Sequence, residues 1–296
     1  MIINEDLEQY KKYLTEYRNN CFICNNKKTN IWAKYGSYTA EQCTKCNFIW
    51  INPFINNDGL KQYYNDYIGM RFKDKEKTQQ RKLQYEIDKN FIELFISSGK
   101  VLDVGCSGGF FLDVLNDDFE KYGIEIDEKA VEHAKKTYSF GKNIECSAVE
   151  NTKYQKENFD LIIMRGVIEH LSNPCNVMEK VSYLLKSNGY FYIAATPNVD
   201  SFCADIYREK WNLFHPIRHL SYFSVKTISK FLNRYNLKLI DKDFPYLETP
   251  YADIEKDHIE ILKAYQARKE GNFDKIGRSR PFWNNMMNLV FKKLEV

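Results

Sequence analysis

The clearest pattern of hydrophobic and polar positions begins at residues 101–104, VLDV. A short apolar run that is rich in β-branched residues is typical of a parallel strand buried on both faces. Glycines follow it, apolar positions then resume with helical spacing over residues 110–115, and a second apolar stretch covers residues 122–126. The pattern predicts a strand, a sharp turn, a helix and a second parallel strand.

The alternation of strands and helices continues along the chain and predicts an α/β fold with a mostly parallel sheet. Predicted helices cover residues 78–98, 128–138, 177–186 and 225–235, and predicted strands cover residues 143–146, 159–164, 190–195 and 237–244. Residues 252–281 are predicted to be either helical or irregular in structure. Residues 287–293 are predicted to form either a closing antiparallel strand or a terminal helix. An insertion at residues 199–224, dense in aromatic side chains, interrupts the alternation.

The turn after the first strand has the chemistry of a site for an adenine cofactor. Its glycines let the backbone turn sharply and approach a ligand where a Cβ would collide. Glu125 ends the second strand about 20 residues after Gly105, where an acid accepts hydrogen bonds from the two ribose hydroxyls. The turn reads D-x-G-x-S-x-G from Asp103 to Gly109, and its leading acid suits an ammonium and a sulfonium better than a pyrophosphate. An ordinary glycine turn in a βαβ unit is the alternative.

This stretch resembles motif I of class I S-adenosylmethionine-dependent methyltransferases, with Ser107 where many members have Gly. The resemblance implies a Rossmann-like sheet with an antiparallel closing strand, and S-adenosylmethionine as the cofactor. It also places residues 147–150 beside the adenine ring, where Ser147 or a backbone N–H near Ala148 must replace the Asp of many members. The candidate cofactor-binding residues are Asp103, Gly105, Cys106, Ser107, Gly109, Glu125, Ile126, Ala148 and Arg165.

Four of the eight cysteines follow the pattern C-x2-C-x18-C-x2-C, which is typical of a tetrahedral zinc site. The four are Cys21, Cys24, Cys43 and Cys46. The 18 residues between the pairs are long enough for a hairpin that turns at residues 35–37. Two disulfides are the alternative, which a reducing compartment disfavours. Four thiolates would leave zinc no open position, so we expect a structural metal. Among the other cysteines, Cys106 is most simply a small packing residue.

Two further segments carry resemblances. Residues 43–68 resemble the zinc-ribbon leader of bacterial sugar and small-molecule methyltransferases, in which an Asn-Pro pair leads to a helix rich in tyrosine. The matching residues here are Asn52-Pro53, Tyr63, Tyr64 and Tyr67, and the alternative is that these tyrosines are packing residues of a lid helix. Residues 169–174, EHLSNP, resemble a segment of the group that includes the ubiquinone-biosynthesis O-methyltransferases.

Methyl transfer to a hydroxyl benefits from a base, because the hydroxyl is barely ionised at neutral pH, and His is the side chain best matched to that pH. The candidates are His170, which follows the fourth predicted strand, and His215 and His219 in the insertion, with Asp205 as an outside candidate. Each His has a structural alternative, as a residue that starts a helix or orders a loop. Likewise, aromatic residues of the insertion form either a stacking wall for a sugar or the core of a lid. These are Trp211, Tyr222 and Phe223.

Composition limits the function classes. The 296-residue chain has a net charge of +3 with Lys mixed among Asp and Glu, which is not the clustered footprint of a nucleic-acid binder. There is no apolar run of about 18 residues, so we expect no membrane span. The N-terminal residues lack the features of a signal peptide, so we expect a cytoplasmic protein. The predicted domains are a zinc-ribbon-like module at 1–55, connecting or lid helices at 56–98, and the S-adenosylmethionine-binding methyltransferase domain at 99–296.

The predicted function is methyl transfer from S-adenosylmethionine to a small polar acceptor. The resemblances favour O-methylation of a sugar, a sugar nucleotide or another metabolite of a surface-polysaccharide or secondary-metabolite pathway. One alternative is an RNA or protein methyltransferase that uses the zinc ribbon for recognition. Others are C- or N-methylation of a nucleotide-linked sugar, and a non-catalytic partner subunit that binds the cofactor. The sequence leaves the acceptor atom and the oligomeric state open.

Overall fold

The computed structural model describes residues 7–63 and 75–295. Its contacts divide the chain into two compact units, which are described separately. The first unit comprises residues 1–79, 197–227 and 251–285, and the second comprises residues 80–196, 228–250 and 286–296. The predicted domain ranges 1–55, 56–98 and 99–296 follow sequence motifs rather than these contacts, and they stay a prediction.

The strands and helices alternate over much of the chain. The strands are β1 Leu14–Glu16, β2 Thr29–Tyr35, β3 Tyr38–Cys43, β4 Ile49–Ile51, β5 Phe54–Ile55, β6 Gly99–Val104, β7 Phe119–Glu125, β8 Ile144–Cys146, β9 Phe159–Arg165, β10 Leu185–Pro197, β11 Ser221–Tyr222, β12 Leu237–Asp243 and β13 Met286–Lys293. The helices are α1 Lys75–Ile92, α2 Phe110–Val114, α3 Glu128–Thr137, α4 Pro174–Leu184, α5 Phe202–Tyr207, α6 Val225–Leu232 and α7 Ile254–Lys269. Residues 57–63 are also helical.

The second unit is built on a seven-stranded sheet in the order β12-β13-β10-β9-β6-β7-β8. The five strands from β10 to β8 pair in parallel, and β12 and β13 pair antiparallel. This confirms the predicted Rossmann-like fold, and it shows that the C-terminal segment is a strand rather than a helix. The strand order reverses between β6 and β9, and the carboxyl ends of strands at such a switch point are where α/β folds bind ligands.

Burial explains why these segments form central strands. The side chains of Val101 and Leu102 in β6 and of Leu161 to Met164 in β9 are fully buried, as expected of parallel strands that are covered on both faces. Two predicted helix ends were wrong. Helix α1 ends at Ile92 rather than at residue 98, and Gly99 begins β6. Helix α4 ends at Leu184, and β10 begins at the next residue with an irregular register before Tyr190.

The first unit contains a four-stranded sheet in the order β11-β4-β3-β2. Strands β2 and β3 form the predicted hairpin between the cysteine pairs, with Gly36 at its turn in a left-handed conformation (φ 55°). The aromatic residues of the insertion are buried in this unit's core, which favours the packing alternative over an exposed stacking wall. Trp211 is 1% exposed, and Tyr222 and Phe223 are 0% exposed.

Two further predictions concern the leader and the membrane. Tyr63 is 3% exposed, whereas Tyr64 and Tyr67 lie outside the described residues. Within residues 7–63 and 75–295, no helix is long and apolar enough to cross a membrane.

Candidate functional site

The glycine turn after β6 is shaped by residues with positive φ. Gly105 has φ +76°, and a Cβ on it would lie 2.7 Å from Cγ2 of Val167. Ser107 is also left-handed (φ 50°), and Gly109 (φ +82°) immediately precedes α2. A side chain at Gly105 would therefore need both a rare backbone conformation and space that Val167 occupies. The result is a tight turn at the switch point of the sheet.

Glu125 ends β7, and its carboxylate is oriented by backbone N–H groups. Oε2 accepts a hydrogen bond from the Ser107 N–H at 2.8 Å. Oε1 accepts from the N–H groups of Ile126 at 2.7 Å and Asp127 at 3.0 Å. These bonds fix the carboxylate beside the glycine turn. It remains partly exposed, and each oxygen has more than one lone pair, so it can accept hydrogen bonds from a ribose.

Asp103 is a buried acid with an unused acceptor. The residue is 2% exposed, and its Oδ1 has no hydrogen-bond partner among the residues that the structure describes. Burial raises the pKa of the carboxyl to about 8, with the Arg165 charge acting to lower it and the Glu125 charge to raise it. An unpartnered buried carboxylate is costly unless a ligand satisfies it. A ligand that carries an ammonium or a sulfonium fits this position.

The other predicted cofactor residues near this turn have different surroundings. The thiol of Cys106 packs in the core, 2.6 Å from where a Cβ on Gly123 would lie, so only its backbone is available to a ligand. Ile126 is 70% exposed at the edge of the turn. Ala148 follows Ser147, whose N–H donates to the Glu125 carbonyl at 2.9 Å. These roles stay predictions.

Arg165 ends β9 and is held by a residue that the sequence reasoning missed. Its Nε and Nη2 lie 2.8 and 2.7 Å from Oδ2 of Asp88 in α1. Oδ1 of the same carboxylate accepts from Gln84 at 3.0 Å and from Asn288 at 2.9 Å. Asp88 is 0% exposed. The sequence signal that could have identified it is an acidic residue on the side of a predicted helix that faces the core.

The candidate bases lie in different units. His170, in the second unit, donates its backbone N–H to the Val167 carbonyl at 2.9 Å, and its side chain is 23% exposed. In the first unit, the rings of His215 and His219 are 5.2 Å apart. Nδ1 of His219 is 2.9 Å from the Leu213 carbonyl. In a neutral ring that contact makes Nδ1 the protonated nitrogen and leaves the lone pair on Nε2.

The outside candidate Asp205 is exposed and forms an ion pair with Arg208 at 2.8 Å. Asp205 stays a predicted outside candidate of the first unit beside His215 and His219.

The four cysteines of the C-x2-C pairs come together in the first unit. Cys21 and Cys46 have their sulfurs 3.5 Å apart, as do Cys24 and Cys43, and all four sulfurs lie within 4.8 Å of one another. Zn–S bonds of about 2.3 Å in a tetrahedron give sulfur separations of about 3.8 Å. The distances therefore fit one metal ion, and they are far longer than a disulfide bond of about 2.05 Å.

Each cysteine pair is closed by the same backbone turn. Asn25 and Asn47 follow the second cysteine of each pair in left-handed conformations (φ 58° and 63°). Their N–H groups donate to the carbonyls of the first cysteines at 2.7 and 3.0 Å. Asn tolerates this conformation better than most residues. The repeated turn aims both thiols of each pair at one point.

Hydrogen bonds favour a thiolate at one of these positions. Burial raises the pKa values of the Cys21 and Cys46 thiols. Burial also acts to raise the pKa of Cys43, but hydrogen bonds from the Asn26 amide and the Lys45 backbone N–H lower it to about 6. The cluster could hold zinc.

The chain is similar to known proteins in sequence and in fold. Residues 78–242, more than half of the chain, match the family described as "Methyltransferase domain". An uncharacterized protein of Methanocaldococcus jannaschii is 25% identical over 190 residues, which is 64% of this chain and 86% of that protein. A ubiquinone biosynthesis O-methyltransferase of Thiobacillus denitrificans is 28% identical over 104 residues, which is 33% of this chain. The match spans about half of that enzyme's length, 45%.

Among solved structures, one similar fold is that of a Thermotoga maritima protein described as an S-adenosylmethionine-dependent methyltransferase and possible histamine N-methyltransferase. It has a TM-score of 0.52 and 14% identity, and the match covers 79% of this chain and 98% of the other. At this identity, the likeness shows the fold.

Proposed function

This chain belongs to the methyltransferase domain family and is an S-adenosylmethionine-dependent methyltransferase, and from that premise we propose that it methylates an oxygen of a small polar molecule. The proposed acceptor is a sugar, a sugar nucleotide or another polar metabolite of a surface-polysaccharide or secondary-metabolite pathway. The low-identity match to an enzyme named as an O-methyltransferase supports transfer to oxygen.

The observation that carries the assignment of the donor is the presence of two acids, Asp103 and Glu125, at the switch point of the sheet. When bound, S-adenosylmethionine supplies a methyl group on a positively charged sulfonium. We assign its ribose to the fixed carboxylate of Glu125 and its ammonium to the unpartnered oxygen of Asp103. The turn at Gly105 lets the backbone approach the ligand closely. Such positioning supplies most of the acceleration available to an in-line transfer.

A base that removes the acceptor's hydroxyl proton completes the proposed mechanism. The imidazoles of His170, His215 and His219 are the candidates. A base of this kind is worth about 10²–10⁴-fold in rate.

The cysteine cluster is proposed to bind structural zinc through Cys21, Cys24, Cys43 and Cys46. Four thiolates fill a tetrahedral site and leave no position for a substrate, so the metal would stabilise the first unit rather than take part in methyl transfer. A cytoplasmic location is part of the proposal, because thiols stay reduced there.

Methyl transfer from labelled S-adenosylmethionine tests the acceptor class. The protein is incubated with separate panels of nucleotide sugars, free phenolic and sugar hydroxyl compounds, RNA and peptides. We expect label in a hydroxyl compound and none in RNA or peptide. Label in RNA or peptide alone would contradict the proposal. Label on a carbon or nitrogen atom of a sugar would contradict O-methylation and show methyl transfer to that atom instead.

The base is tested by replacing His170 and His219 with Ala, one at a time, once an acceptor is known. Loss of the base should lower kcat by about 10²-fold or more while the cofactor Kd is unchanged. His258→Ala, an exposed residue of α7, is the matched control and should retain wild-type kcat. Wild-type kcat in both test variants would exclude them as bases.

A further inference from the structure

Helix α7 of the first unit carries its larger apolar side chains on the side that faces away from the core. A surface helix normally turns its apolar side to the core and its polar side to water. The apolar residues that α7 buries are Ile261, Ala264 and Ala267, and two of these are small. Larger apolar residues, between 46% and 65% exposed, lie on the outside and are called the outer α7 face. They are Ile254, Ile259, Leu262 and Tyr265.

Contacts at both ends of α7 hold the helix in this orientation. In its first turn, the buried carboxylate of Asp257 accepts a hydrogen bond from Arg280. In its last turn, Nη1 of Arg268 donates to the Ile206 carbonyl at 3.1 Å. A rotation that buried the outer α7 face would break these contacts. The outer α7 face therefore stays at the surface of a single chain.

The apolar surface is contiguous and extends beyond α7. Ile259, Leu262 and Tyr265 are spaced three residues apart, so their side chains are neighbours on the helix. The Phe202 ring of α5 lies 6.0 Å from the Tyr265 ring, centre to centre, and Phe202 is itself 48% exposed. Single apolar side chains are normal on a protein surface, whereas a contiguous patch marks an interaction site. The outer α7 face together with Phe202 has the character of an interface.

The charges along this face match a second copy of the chain. Glu255 and Lys269 lie seven residues before and seven residues after Leu262, and all three side chains are exposed. Seven residues make about two helical turns, so the three side chains lie along one line of the helix. In an antiparallel pair of α7 helices centred on Leu262, Glu255 of each copy lies opposite Lys269 of the other. The line is complementary to itself, as a two-fold symmetric interface requires.

We propose that two copies of this chain associate through the outer α7 face, with the helices antiparallel and Leu262 at the two-fold axis. The Glu255–Lys269 pairs and the opposed helix dipoles set the direction of the pairing, and the apolar side chains are removed from water. One helix face with Phe202 makes a small interface, so the dimer dissociation constant should be on the order of 10 µM. This inference does not depend on the proposed methyl transfer.

Sedimentation velocity of the full chain from about 1 to 300 µM tests the association. The weight-average mass of the wild type should rise from that of a monomer toward that of a dimer. Leu262→Asp places two like charges at the axis and should raise the dissociation constant by about 30-fold or more. Because Leu262 is exposed in the single chain, its substitution should leave Tm unchanged.

Reversal of the charges tests whether the partner is a second copy. Glu255→Lys and Lys269→Glu each replace two attractive pairs by two repulsive ones, so each should raise the dissociation constant by about 3- to 10-fold at low salt. The double variant Glu255→Lys/Lys269→Glu restores both pairs in reverse order and should associate as the wild type does. A different partner protein would not follow this pattern, because its charges are not changed with those of α7.

The matched control is Leu94→Asp, which makes the same change at an exposed leucine of the second unit and should associate as the wild type does. A wild type that stays monomeric over the whole concentration range would overturn the inference. A dimer with an unchanged dissociation constant in Leu262→Asp would also overturn it, since the copies would then meet through another surface. A double charge variant that associates more weakly than either single variant would contradict the antiparallel pairing.

Discussion

Replacing Asp103 by asparagine should remove a pH dependence that the buried carboxyl gives to the protein. In the folded chain, burial raises the pKa of Asp103 to about 8 from an ordinary value of 3.8. The folded state therefore holds a proton that the unfolded state has lost across this window. The stabilisation from that proton is complete below about pH 4 and is lost as the pH rises through about 8.

The size of the effect follows from the shift. Each pH unit between the two pKa values changes the free energy of unfolding by about 1.4 kcal/mol. The free energy of unfolding should thus fall by on the order of 2 kcal/mol between pH 6 and pH 8 in the wild type. An asparagine side chain cannot titrate, so the Asp103→Asn variant should show a flatter profile. Denaturant unfolding at several pH values measures both curves.

The same proton should be released when the donor binds. A cationic ligand favours the carboxylate, so the affinity for S-adenosylmethionine should rise by up to about tenfold per pH unit from pH 6 to pH 8 and level off above. Calorimetry at pH 6.5 in two buffers of different ionisation enthalpy should detect about one released proton. A Kd that is constant from pH 6 to 8 with no proton release, or the same slope in Asp103→Asn, would refute the assignment.

Two other predictions follow from the turn and the cysteines. Gly105→Ala should weaken donor binding by more than about tenfold and lower the free energy of unfolding by about 1–3 kcal/mol, because its Cβ would lie 2.7 Å from Val167. Gly277→Ala is the control, since Gly277 has open space around it. If Gly105→Ala binds the donor with the same Kd as the wild type, the close approach is contradicted. Cys21→Ser should lower the zinc content from about one ion per chain and should lower Tm. The control is Cys146→Ser at an exposed cysteine, which should change neither quantity. Metal analysis that shows unchanged zinc content in Cys21→Ser would contradict the site.

The sequence predicted the central sheet because its strands carry their own signal. The apolar runs at 101–104 and 159–164 are buried on both faces, so each reads as a strand without knowledge of its neighbours. The two cysteine pairs were predictable for a similar reason, since their spacing alone defines the geometry of a metal site. The closing strand at 286–293 could not be separated from a helix, because its pairing with β12 is a tertiary contact.

The face of α1 could not be predicted in the same way. Leu83 and Leu94 are apolar residues of the predicted helix at 78–98, but they are 54% and 77% exposed. Among residues 79–92 of this helix, the buried positions are Gln84, Asp88 and Ile92. Two of these three are polar. Gln84 donates to Asp88 of the same helix, whereas Asp88 is also satisfied by Arg165 and Asn288 from distant parts of the chain. Local periodicity carries no information on such partners.

Binding of S-adenosylmethionine to Glu125→Ala tests the central assignment most directly. Two hydrogen bonds from the ribose hydroxyls to a carboxylate are worth about 3 kcal/mol or more together. Calorimetry should therefore show that the Kd rises by about 100-fold or more relative to the wild type. Glu132→Ala, an exposed residue of α3, should bind as the wild type does. A wild-type Kd in Glu125→Ala would contradict the assignment of the donor to the turn between Gly105 and Glu125.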